Sequence, residues 1–98
     1  MNQEIIDLIN KFREERDWKQ YHNPKDLALS LTLEASELLE NFQWISSDEA
    51  VQKNRQNIAE ELADVFIYGI QLAEEMNFDI EEIIRMKVKM NGEKYPKK

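Results

Sequence analysis

Ninety-eight residues with two glycines, two prolines and 34% charged residues describe a single domain, 1–98, built of helices rather than sheet. The net charge of −7 argues against partners such as nucleic-acid polymers or anionic membranes, whose binding rests on Lys and Arg. The absence of cysteine excludes disulfides, thiolate metal sites and a cysteine nucleophile.

No run approaches the ~20 apolar residues that span a bilayer. Met1 leads into Asn2-Gln3-Glu4 without a basic or apolar leader, so a cytoplasmic protein is expected. A chain this short buries only about 60–65% of its unfolded surface, which makes a homo-oligomer, dimer or tetramer, the expected remedy. A small phosphorylated ligand stays compatible with the negative charge, because a bound cation reverses the local field.

The first helix is expected over about 3–16, with Ile5, Leu8, Ile9 and Phe12 as an ordinary core stripe. The loop that follows holds Trp18, Tyr21 and the sole histidine, His22. Its rings either fold onto the end of the bundle or form a stacking platform for a planar ligand. Asn23 caps a second helix over about 24–42, with Pro24 at its first position. Trp44 stands near the turn after it. Ser46 with Glu49 reads as a capping box opening a third helix to about Asn77, apolar on nearly all sides from Val65 to Ala73. Asp79 starts a fourth helix that should stop at Asn91, ahead of Gly92. Its late basic residues, Arg85, Lys87 and Lys89, are continued by Lys94, Lys97 and Lys98. They either complement the helix dipole or meet a phosphate.

Two acidic pairs stand out. Glu34 and Glu37 lie in the second helix, Glu61 and Asp64 in the third, each pair one turn apart on one face. Steps of three and four run Leu27, Leu31, Glu34, Leu38 on one helix and Ile58, Glu61, Val65, Tyr68, Leu72 on the other. That spacing is the buried seam of packed helices, so Glu34 and Glu61 occupy core positions. Clustered buried carboxylates repel and lose hydration, and the adjoining turns supply no Lys or Arg. A hard divalent cation, Mg²⁺, Mn²⁺ or Ca²⁺, answers both problems. A carboxylate-bridged di-iron site is disfavoured, because those sites place His three residues after Glu and His22 lies in a loop. A non-catalytic helical interaction module leaves the acids in both seams unexplained.

Glu34-x-x-Glu37 followed by Glu61-x-x-Asp64 resembles the ExxE…ExxD pattern of the MazG-type all-α nucleoside triphosphate pyrophosphohydrolases. Arg16-Asp17-Trp18 with His22, Phe42-Gln43-Trp44, Glu60 to Val65, and Lys87…Asn91…Tyr95-Pro96 are similar to its dCTP-hydrolysing branch, over about residues 12–96. The resemblance implies an oligomeric four-helix bundle that converts a nucleoside triphosphate, dCTP or a related pyrimidine, to monophosphate and pyrophosphate. It implies Mg²⁺, with Mn²⁺ as a substitute, on Glu34, Glu37, Glu61 and Asp64, which are also the catalytic set. By the same likeness Trp18, His22 and Trp44 line the base pocket, while Lys87, Asn91 and Tyr95 reach the nucleotide. The alternative within this activity is a house-cleaning hydrolase of non-canonical nucleotides or of dUTP.

Overall fold

The computed structural model describes residues 2–97; Met1 and Lys98, the ends of the leader and basic-tail readings, lie outside them. All regular structure among the described residues is helical: α1 (Gln3–Glu15), a 3-10 turn (Lys19–Tyr21), α2 (Pro24–Glu40), α3 (Ser47–Lys53), α4 (Arg55–Glu75) and α5 (Ile80–Lys94). The starts follow their caps. Asn23 Oδ1, Ser46 Oγ and Asp79 Oδ1 accept from the backbone N–H of Asp26, Glu49 and Glu82, pairing donors that a first turn leaves free.

The third helix differs from expectation, because it is two helices that meet at Asn54. The Asn54 side chain donates to Asn41 O at 2.8 Å, and Asn57 Nδ2 donates to Asn41 Oδ1 at 2.8 Å. Asparagine readily trades helical pairing for such local bonds. The elbow therefore forms where the chain is tied to the end of α2. The last helix also overruns its expected stop. Gly92 has no positive φ and the helix continues to Lys94, where Tyr95 and the following Pro96 end it.

The long pair α2 and α4 carries most of the packing, with α1 and α3 laid against α4 more lightly. The seams read from sequence hold: Leu27 is buried, and Leu31, Leu38, Ile58, Val65, Tyr68 and Leu72 are half-buried. Two other readings change. In α1 only Ile9 of the apolar stripe is buried, while Leu8 and Phe12 stay exposed. In α4, Ile70 and Ala73 are buried but Phe66 is 58% exposed, so the chain alone does not cover every side of that helix. No residue of α5 is buried. Among the described residues no helix is long and apolar enough to cross a membrane.

Candidate active site

Where α2 faces α4, Glu34, Glu61 and Asp64 come together, each offering a carboxylate oxygen within 4.8 Å of the others. Glu37 lies at the margin of this trio and is exposed, yet close enough for its charge to act on Glu34 and Glu61. Glu34 Oε2 and Glu61 Oε2 are buried and no protein donor reaches them. None of the four acids forms an ion pair with Lys or Arg among the described residues. A hydrogen bond from one of these acids to another requires that they share a proton. Burial, reinforced by a hydrogen bond from Glu37 and the charges of Glu37, Asp64 and Glu61, pushes the Glu34 carboxyl up to about 7. Glu61 is raised as well, by burial first and then by Glu37. Unsatisfied oxygens on several converging carboxylates are the donor set a hard divalent metal takes, so the residues fit such an ion.

Asp64 also borders a cavity of about 480 Å³ between α1, the 3-10 loop and α4. The α1 residues on its wall are Leu8, Ile9 and Phe12, which accounts for the incompletely buried stripe. Trp18 and His22 close one side, with Trp18 set edge-on to Phe12 at 5.4 Å between centroids. Between the two readings of the loop, the structure places these rings on a cavity wall. Tyr68 and Gln71 continue from Asp64 along α4, four and seven residues on and hence on the same face. Burial and the nearby Glu34, Asp64 and Glu37 raise the Tyr68 hydroxyl.

Behind the wall lies a polar brace. Arg13, 1% exposed, donates through Nη2 to Glu75 Oε1 at 2.8 Å and through Nε to His22 Nδ1 at 3.1 Å. Burial and then the Arg13 charge lower the His22 pKa. A neutral imidazole that accepts at Nδ1 carries its proton on Nε2, so the brace sets His22 as a hydrogen-bond donor.

The structure thus joins Glu34, Glu61 and Asp64, keeps Glu37 beside them, and sets Trp18 and His22 on the adjoining cavity. It does not bring in the remaining expected residues within one chain. Trp44 is 96% exposed, outside the cavity, with a left-handed φ of 67° that is costly for a bulky side chain. Lys87, Asn91 and Tyr95 are exposed on or beside α5, away from the cavity wall. Sequence reasoning missed Phe12, Arg13 and Gln71 as site residues. The signal for Gln71 was present: a polar side chain inside an apolar run, one helical period beyond Tyr68.

Residues 29–98, which include both acidic pairs, match the sequence model of the MazG-like family. This chain belongs to the MazG-like family. It is 38% identical to the dCTP pyrophosphatase 1 of Mus musculus and 36% identical to that of Homo sapiens, in each case over 96% of its own length. It spans 58% of the length of these curated relatives. A crystal structure of a pyrophosphatase from Archaeoglobus fulgidus superposes with a TM-score of 0.92 at 40% identity, covering 97% of this chain and 92% of that one. The all-helical fold is therefore shared with that pyrophosphatase along nearly the whole chain.

Proposed function

We propose that this MazG-like chain is a metal-dependent nucleoside triphosphate pyrophosphohydrolase that cleaves dCTP, or a closely related pyrimidine nucleotide, to the monophosphate and pyrophosphate. The observation that carries this reading is adjacency: a carboxylate cluster with two donorless buried oxygens borders, through Asp64, a largely apolar cavity faced by Trp18 and His22. Such a pair of compartments suits a ligand with a polyanionic end and a flat aromatic end. The relatives named dCTP pyrophosphatase support the same choice of nucleotide.

Glu34, Glu61 and Asp64, with Glu37 alongside, would hold Mg²⁺ or Mn²⁺, which when bound neutralises phosphate oxygens and polarises phosphorus toward attack by water. Within the cluster a glutamate takes the proton released by that water, and the exposed margin at Glu37 keeps the acids in contact with solvent. The Trp18 indole stacks on the base, and His22 donates from Nε2 to a ring acceptor. The walls supplied by Leu8, Ile9 and Ile67 exclude water from the base, which strengthens those contacts. Trp44 and the α5 group Lys87, Asn91 and Tyr95, exposed and off the cavity of their own chain, would reach the nucleotide from a second copy of the chain. A cytoplasmic setting, where nucleoside triphosphates are found, belongs to the same reading.

Phosphorus NMR of a dCTP digest tests the reaction. Cleavage between the α and β phosphorus yields dCMP and pyrophosphate together. If orthophosphate and dCDP appear first, the assigned bond is wrong.

A further inference from the structure

Four polar residues line the cavity, and three are already engaged. Asp64 belongs to the acidic cluster, Tyr68 lies in the field of the same carboxylates, and His22 is held by Arg13 so that it presents only a donor. Gln71 is the exception. It is 4% exposed, and its Oε1 is buried without a hydrogen-bond partner. An unpaired buried amide oxygen is costly, and native proteins seldom keep one without a use. The terminal torsion of glutamine is soft, so the carboxamide can turn its oxygen to the cavity face without backbone movement.

We propose that Gln71 is the specificity-determining residue of the cavity, its carboxamide oxygen accepting a hydrogen bond from the exocyclic amine of a cytosine nucleotide. The Watson–Crick edge of cytosine carries that donor beside ring acceptors. The donors that complete the match, His22 Nε2–H and the Gln71 amide N–H, stand on the same wall. A pyrimidin-2-one, which has no amine at that position, leaves the Gln71 oxygen unpaired. A hydrogen-bonding site of this kind rejects an analogue that lacks its partner far more strongly than an apolar wall does. The inference rests on the cavity being the base pocket of the proposed reaction, and names the group that chooses the base.

Isothermal titration of the full chain with dCMP, and with the pyrimidin-2-one deoxynucleoside monophosphate that lacks the amine, measures this without turnover. Wild type should bind dCMP about tenfold tighter or more. Gln71→Met, unbranched and similar in length, should bind the two ligands equally, by losing affinity for dCMP. Without nucleotide that variant should melt a few degrees higher, since a buried unpaired acceptor has gone, and the same melt shows that it folds. Equal binding of the two ligands by wild type overturns the assignment, as does wild-type discrimination surviving in Gln71→Met. The wild-type comparison decides by itself should the variant not fold. Discrimination by wild type with no pyrophosphate released from dCTP refutes the reaction and leaves Gln71 in place. Release of pyrophosphate with discrimination unchanged in the variant does the reverse.

Discussion

Glu34 shows how a fold sustains a group in a state its chemistry resists. Its carboxyl is raised from the ordinary 4.5 to about 7, so between these values the folded chain binds more protons than the unfolded one. Stability contributed at this position therefore falls as pH rises through that window. Glu34→Gln imitates the protonated form. In EDTA its melting temperature should match wild type near pH 4.5 and exceed it increasingly toward pH 8, in paired calorimetric scans. A gap that does not change with pH would show that Glu34 is not under this load. Saturating Mg²⁺ should reverse the order at pH 8, because an ion bound only by the folded wild type adds RT ln(1 + [L]/Kd). Trp18 carries the other residue-level expectation. Ring stacking is worth about 1–3 kcal/mol per base, so Trp18→Ala should raise KM for dCTP by roughly tenfold or more in steady-state assays. An unchanged KM would remove it from the pocket.

At the scale of elements, α1 depends on α4 through few contacts, and Arg13 supplies the central one. Its guanidinium ties α1 to Glu75 of α4 and to His22 of the loop at once, while Asn10 Nδ2 donates to Glu74 Oε1 at 3.3 Å. Removing one partner of a buried ion pair leaves the other uncompensated, usually at 3–5 kcal/mol. Glu75 keeps 21% of its side-chain surface in water, so Arg13→Leu should cost about 2–3 kcal/mol in urea titrations. The same change removes the charge that lowers the His22 pKa, so the imidazole should titrate closer to 6.5 by proton NMR. A His22 midpoint unmoved by Arg13→Leu would dismiss the brace. The elbow at Asn54 belongs to this scale too, since it fixes where α4 begins beside the end of α2.

The whole molecule is under-buried as a single chain. Among the described residues the buried apolar ones are Ile9, Leu27, Ala50, Ile70 and Ala73, while Leu29, Leu33, Leu39 and Phe66 of the central pair lie more than half exposed. The radius of gyration is 16.1 Å, against about 13 Å for a compact chain of this length. An extended molecule whose last helix has no buried residue leaves apolar surface that a second copy of the chain would cover in the proposed oligomer. Light scattering should report a multiple of 11.7 kDa at micromolar concentration, and the melting temperature should rise with protein concentration. Phe66→Asp, at a position 58% exposed, should shift the population toward the single-chain mass. A mass of 11.7 kDa for wild type would contradict this.

Helical class, the caps at Asn23, Ser46 and Asp79, and the acidic seams were legible from sequence because each rests on local spacing: one turn, one cap, one face. Glu34 and Glu61 stood out since a carboxylate in an apolar seam violates that same local pattern. Long-range events lay beyond such reading. The helix breaks at Asn54 because its side chain meets Asn41, thirteen positions earlier in the chain, and no local rule contains that meeting. Glu37 and Asp64 both fall beside the seams in sequence, yet the packing of α2 on α4 leaves Glu37 exposed and brings Asp64 into the trio. Arg13 read as one more polar residue of an amphipathic helix until Glu75 and His22 were brought to it from 62 and 9 residues away. Gln71 became a cavity group only when α1 settled against α4. Spacing along the chain assigns a face to each residue, and tertiary packing decides what that face meets.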